Sequence, residues 1–175
     1  MKDWKSLYRT AQTEERYNET VIDHFMHPRN VGRLEQADGW GKVGDPACGD
    51  YLEMSFRLDR DRARIENICF LVYGCPAAVA SSSITTELAK GRTIEEAQRL
   101  IEKDVLRALG GLPSVKVHCS VLSVRALREA LRDYERCREM LAKGQVSSVR
   151  QYRERCNAEQ MLGDDRENGE RRSGE

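Results

Sequence analysis

The chain has little with which to advertise a partner. Lys plus Arg and Asp plus Glu are both 29, so there is no excess of either sign. A nucleic-acid-binding protein usually carries a basic surplus, and none is present. Aromatic residues make up only 6%, which leaves a core built mainly from aliphatic side chains. No apolar run is long enough to cross a bilayer. The most apolar stretch, Ile68 to Ala80, is short and interrupted by Gly74 and Pro76. Met1 to Thr10 is polar and mixed in charge, unlike a secretory leader. These features point to a cytoplasmic chain with no nucleic-acid or membrane role. In that setting the six cysteines are read as metal-binding, reactive or buried rather than disulfide-bonded.

Periodicity predicts the elements. Glu14 to Met26 reads as a helix with Tyr17, Val21, Ile22 and Phe25 on one face, ended by His27-Pro28. Arg29 to Asp45 is expected to run over the surface, with Lys42-Val43 as a short strand. Tyr51 to Leu58 and Ile65 to Tyr73 alternate as strands of an antiparallel hairpin around a charged turn. Pro76 suits the first position of a helix that Gly91 stops. Thr93-x-x-Glu96 is a capping box for a helix to about Lys103, and Asp104 is expected to cap another before Gly110-Gly111. Leu112 to Lys116 reads as extended. A long helix is expected from about Ser120 to Lys143, with Leu127, Ala130, Tyr134, Cys137 and Leu141 on its apolar face. Beyond Gly144 a weakly amphipathic helix carries Val146, Val149, Tyr152 and Cys156. Gly163 to Glu175 holds eight charged and no strongly apolar residues, the composition of a disordered end. The organisation expected is an arm and helix start at 1–16, a domain at 17–143 and an extension at 144–175.

Three cysteines stand at element edges: Cys48 in Ala47-Cys48-Gly49-Asp50, Cys75 in Tyr73-Gly74-Cys75, and Cys119 in His118-Cys119-Ser120. Cys75 and Cys119 fall at helix starts, where unpaired N–H groups favour a thiolate. A lone cysteine is more often a small buried hydrophobe. Two at helix starts, with a third in a Cys-Gly-Asp turn, favour a site. Asp50 is a harder, exchangeable oxygen ligand beside Cys48. His118 adjoins Cys119, but adjacent side chains on extended backbone diverge, so both reach one centre only if the chain bends there. Such a set suits zinc or a small iron–sulfur cluster. Cys137 reads as core, Cys69 as half-exposed, Cys156 as a tail thiol, and His24 and His27 as surface or helix-end residues.

With these motifs in one order, the chain resembles the iron–sulfur cluster assembly scaffolds of the IscU/NifU type. The resemblance runs from Tyr17 to about Met140. It is carried by Val21-Ile22-Asp23-His24-Phe25, Pro28-Arg29-Asn30-Val31-Gly32, Ala47-Cys48-Gly49-Asp50, Tyr73-Gly74-Cys75, Ala80-Ser81-Ser82-Ser83, Lys90-Gly91-Arg92-Thr93, and Leu112-Pro113 through His118-Cys119-Ser120. It implies an α+β fold with a small three-stranded antiparallel sheet and helices packed against it. It implies a non-enzymatic scaffold on which Cys48, Cys75 and Cys119 receive iron and sulfur and hold a transient [2Fe–2S] cluster for transfer to recipient apo-proteins. The position matching Asp50 keeps that cluster labile, and the one matching His118 contributes near it. The implied partners are a cysteine desulfurase, an electron donor such as ferredoxin, a frataxin-like protein, and an Hsp70-type chaperone with its co-chaperone acting at Leu112–Lys116. The chain departs from the family pattern at Pro76-Ala77 and Ser114. The alternative is a zinc-bound sulfurtransferase of the SufU kind, a branch that carries an insertion before its last cysteine and lacks the histidine. Here 43 residues separate Cys75 from Cys119, and His118 is present.

Overall fold

The computed structural model describes residues 17–45 and 50–156. The backbone divides into two compact units, Met1–Leu131 and Arg132–Glu175. Among the described residues no helix is long and apolar enough to cross a membrane.

The first described helix, α1 (Glu19–Met26), starts after its N-cap Asn18, so Tyr17 is not helical as periodicity predicts; residues 14–16 of the expected helix lie outside the described residues. The Asn18 carboxamide accepts from the Val21 N–H at 3.0 Å and donates to the carbonyls of Leu109 and Gly111. One side chain thus caps the helix and ties it to a segment far along the chain. His24 is not a surface residue: it is 5% exposed, and its Nδ1 lies 2.8 Å from Ser83 Oγ. Burial holds its pKa below the ordinary histidine value.

Three antiparallel strands follow in the order β1 (Gly39–Asp45), β2 (Asp50–Leu58), β3 (Ile65–Tyr73). β1 is longer than the Lys42-Val43 pair expected from the sequence. Gly39 and Gly41 look like loop residues but are required by packing. A Cβ on Gly41 would collide with the Ala130 amide nitrogen and lie 2.6 Å from the Ala126 carbonyl, and one on Gly39 would meet Phe56 and the Ala130 carbonyl. The backbone of the long helix lies directly on this strand. Leu52, Met54, Phe56 and Leu58 of β2 are buried, as are Ile68 and Phe70 of β3. Residues 30–32 hang on the free edge of β3, where Asn30 and Gly32 exchange backbone hydrogen bonds with Phe70.

The opposite side of β2 is also covered. Glu53 is 3% exposed and receives hydrogen bonds from Arg33 (2.6 Å), Trp40 Nε1 (2.5 Å) and the Tyr51 hydroxyl (2.9 Å). Burial pushes this carboxyl upward, but the three donors outweigh it and hold the pKa below the ordinary glutamate value. Burial and the Glu53 carboxylate together push Tyr51 up to about 12. A carboxylate whose folded pKa is depressed stabilises the fold above its unfolded pKa, and that contribution is lost as pH falls through the folded value. Glu53→Gln is therefore expected to cost about 2 kcal/mol at neutral pH, with the difference from wild type shrinking in acid. Urea unfolding at the two pH values checks this; a difference independent of pH would show that the charge is immaterial.

β3 hands over to α2 (Pro76–Ala89), a helix buried almost all round through small residues. Three of its hydroxyls are bonded back onto carbonyls of the same helix, Ser82 to Ala78, Thr85 to Ser81 and Thr86 to Ser83, Ser83 meets His24 and the Arg29 N–H, and Ser81 Oγ is buried without a partner. Apart from Ser81 Oγ, a polar helix is thereby buried without stranding these groups. Two short helices come next. α3 (Ile94–Gln98) opens on the capping box of Thr93 and Glu96 but ends well before Lys103. α4 (Glu102–Ala108) has Asp104 inside its first turn rather than before it, where its carboxylate accepts the Ile101 N–H at 3.1 Å. Leu112 to Lys116 is not extended throughout: Ser114–Lys116 form a 3₁₀ turn that leads directly into α5 (Val117–Ala142).

α5 closes in a Schellman motif. Gly144 sits at φ 67°, its N–H bonds to Leu141, and the Gln145 N–H bonds to Met140. The second unit has its own small core of Cys137, Val146 and Tyr152, with residues 149–156 helical. The Tyr152 hydroxyl donates to Asp133 at 2.8 Å. Cys137 is 2% exposed, in keeping with its place in the apolar stripe.

Candidate cluster-binding site

Cys75 is the N-cap of α2, in extended backbone (φ −76°, ψ 168°), with Gly74 before it and Pro76 at the first helical position. Its thiol is half-buried, and makes no formal capping hydrogen bond. Cys119 lies in the first turn of α5 and is 1% exposed. The two sulfurs are 3.6 Å apart. A hydrogen bond from the Cys119 thiol lowers the Cys75 pKa to about 5 despite burial, helped by the N–H groups of Ala78 and Ala77 and by the charge of Lys116. Ala77 and Ala78 form the apolar floor with Cys119, and Tyr17, Val72 and Leu112 pack around it.

His118 is exposed, and its Nε2 lies 3.5 Å from Cys119 Sγ. The neighbours meet because the helix begins at Val117, ahead of the expected Ser120. On helical backbone the two side chains need not diverge as they do on a strand.

Cys48 lies outside the described residues, as does the side chain of Asp50. The backbone still fixes where their segment leaves the sheet. Tyr51 pairs with Tyr73 across β2 and β3, and Asp50 pairs with Asp45 across β1 and β2. The start of β2 is therefore at the same end of the sheet where β3 runs into Gly74 and Cys75. Among the described residues, no three His, Cys, Asp or Glu groups are placed to hold one metal ion. Cys69 is half-exposed on β3, and Cys156 packs against the core of the second unit. Sequence reasoning missed Lys116, whose charge acts on Cys75 from the 3₁₀ turn; a cation three residues before Cys119 is the signal that was available.

The family model described as NifU-like N terminal domain matches residues 16–140. An iron-sulfur cluster assembly scaffold protein, IscU 1 of Archaeoglobus fulgidus, is 52% identical over 120 residues, covering 69% of this chain and 77% of its own. The protein of the same description from Azotobacter vinelandii, IscU, is 46% identical over 122 residues, covering 68% of this chain and 94% of its own. Among solved structures, a putative iron-sulfur cluster assembly scaffold protein for the SUF system from Fervidobacterium islandicum superposes with a TM-score of 0.52. It is 24% identical and covers 66% of this chain and 96% of its own, a likeness of fold. A three-stranded antiparallel sheet carrying helices is thus shared in architecture, and the chain, matched over residues 16–140, belongs to the family of NifU-like N-terminal domains.

Proposed function

We propose that the chain is a scaffold on which a transient [2Fe–2S] cluster is assembled from iron and desulfurase-derived sulfur, then passed to recipient apo-proteins. The observation that carries this reading is the contact of Cys75 and Cys119, brought from two helix starts to 3.6 Å. Thiolates bind iron and accept sulfur, and a half-exposed one can hand its cargo on. Relatives named as assembly scaffolds, at up to 52% identity, support it. The ligands assigned are Cys48, Cys75 and Cys119, with Asp50 and His118 as the harder groups beside them. The scaffold domain is 17–143, with 144–175 as an extension. Iron and the cluster are cargo rather than a resident cofactor, and no bond-making is asked of the protein beyond sulfur transfer. A cysteine desulfurase is the sulfur source and ferredoxin the electron donor. Val115 on the 3₁₀ turn is 57% exposed, so the Leu112–Lys116 segment presents an apolar residue to a chaperone.

Anaerobic reconstitution with iron, cysteine and a desulfurase tests the reading. Visible absorption of a [2Fe–2S] cluster that moves to an apo-ferredoxin is expected. Tightly held zinc that iron and sulfide do not displace, with persulfide relay intact, would instead identify a sulfurtransferase. Asp50→Ala is expected to lengthen the cluster's lifetime and slow its transfer, because a hard, exchangeable oxygen ligand and its charge are lost. Following decay of the visible bands checks this, and a shorter-lived cluster refutes the role.

A further inference from the structure

We propose that Glu53 is a positioning residue for the metal-binding thiols: through Tyr51 it sets the end of the sheet from which the Cys48 segment departs. The inference deepens the scaffold reading and rests on it for the place of Cys48 among the ligands.

Cys75 and Cys119 are placed by the starts of α2 and α5. The Cys48 segment instead joins Asp45 to Asp50, so its two ends are set by the last pairs of β1 and β2. One of those pairs is short of side chains. Gly44 stands opposite Tyr51 at φ 79°, a left-handed backbone that glycine tolerates, and it offers the tyrosine no cross-strand contact. On its other side Tyr51 pairs with Tyr73, two residues before Cys75. Tyr51 therefore lies between the two strands that lead toward Cys48 and Cys75.

Its side chain is held from elsewhere. The hydroxyl donates to Glu53 Oε2 at 2.9 Å, and the Lys42 ammonium lies 5.5 Å from the ring centroid. Glu53 is in turn fixed from two further segments. Trp40 of β1 donates to its Oε1 at 2.5 Å, and Arg33, ahead of β1, donates to its Oε2 at 2.6 Å. Both carboxylate oxygens are engaged, which fixes the plane of the group and with it the place of the tyrosine hydroxyl.

Stability alone does not account for a buried charge at this position. An apolar residue of similar volume would often serve the fold as well or better. A carboxylate with its donors in place supplies direction instead. Direction matters for a ligand segment, because a site about 1 Å too loose binds poorly. Glu53 is not itself a ligand; it acts through Tyr51 and the backbone that continues into Asp50.

The test uses the full chain, anaerobic and stripped of metal, with cobalt(II) alone as the probe. Thiolate-to-cobalt charge-transfer absorption, divided by the cobalt bound, counts the sulfur ligands. Wild type should show the band of a three-thiolate site. Tyr51→Phe keeps the ring and removes only the hydroxyl. It should lose about a third of the band, the share of one thiolate in three, and bind cobalt about tenfold more weakly. Cys48→Ser should lose the same third. Adding Tyr51→Phe to Cys48→Ser should change nothing further, because the thiol being positioned is already gone. A general loosening of the fold would reach Cys75 and Cys119 as well and would add to the loss in the double variant. Such an added loss overturns the proposal. Should Tyr51→Phe not fold, Glu53→Gln keeps the side-chain shape while weakening the same hold, and it is read in its place with the same outcomes. A full band in wild type and in the positioning variant, with the third lost in Cys48→Ser, sinks this inference and leaves the scaffold reading standing. A band that Cys48→Ser leaves unchanged removes Cys48 from the ligand set, and both readings of the site fall together.

Discussion

Cys75→Ser is expected to reduce cluster absorption to background while leaving thermal stability unchanged or slightly raised. The two halves of this expectation have separate causes. A hydroxyl is a far poorer ligand for iron than a thiolate and does not form a persulfide, so assembly fails. Yet Cys75 occupies the N-cap of α2 and makes no capping hydrogen bond there. Serine is among the best N-cap residues, and its oxygen can accept from the same Ala77 and Ala78 N–H groups that favour the Cys75 thiolate, so the cap is kept at a gain of at most about 0.5 kcal/mol. Anaerobic reconstitution and a melting curve on the same sample read both. A normal cluster in this variant removes Cys75 from the ligand set. A collapse in melting temperature would make the loss of assembly uninformative about ligation, and it would contradict the N-cap placement. Cys119→Ser is expected to lose the cluster at a cost in stability, because it puts a hydroxyl at a site that is 1% exposed.

Gly41→Val should be the most damaging single change in the fold. The methyl groups have nowhere to go, because what stands over Gly41 is backbone of the long helix at Ala126, Glu129 and Ala130. A side chain can change rotamer, but a helix backbone must move as a unit. Overpacking costs typically 1–3 kcal/mol and more when the obstacle is rigid, so a loss of about 4 kcal/mol is expected. Urea unfolding measures it. A variant within about 1 kcal/mol of wild type would show that the helix does not lie on β1 as described.

These two positions illustrate how differently parts of the molecule could be read. Strands 51–58 and 65–73 were legible because alternation is a local property, and the same holds for the Thr93–Glu96 box. The Cys75 N-cap was legible from Gly74 and Pro76 on either side. What escaped depends on residues distant in the chain. β1 was underestimated because Gly39 and Gly41 are poor strand formers, and only the helix packed over them accounts for their presence. His24 reads as a surface or helix-end residue; it does lie in the last helical turn, but its burial against Ser83, 59 residues away, leaves no local signal. Glu53 alternates as a solvent-facing residue should, and nothing local announces that Arg33, Trp40 and Tyr51 converge on it. The start of α5 was set late because Val115 and Val117 suggest extended backbone, whereas one 3₁₀ turn carries the chain into helix two residues before Cys119. That small difference is what brings the His118 ring within 3.5 Å of the Cys119 sulfur.

The limit of kinship and the limit of folding do not coincide in this chain. Similarity to the family stops at residue 140, inside the last turn of α5. The carbonyls of Met140 and Leu141 are satisfied by amides that come afterwards, and Cys137 is covered by Val146 and Tyr152 from the returning segment. A protein trimmed to the homologous region would end on a frayed helix with a thiol laid bare, ready to cross-link one molecule to another. Its behaviour under oxidation would then report the cut rather than the native chain. A piece that keeps this cover retains the returning segment at least through Tyr152.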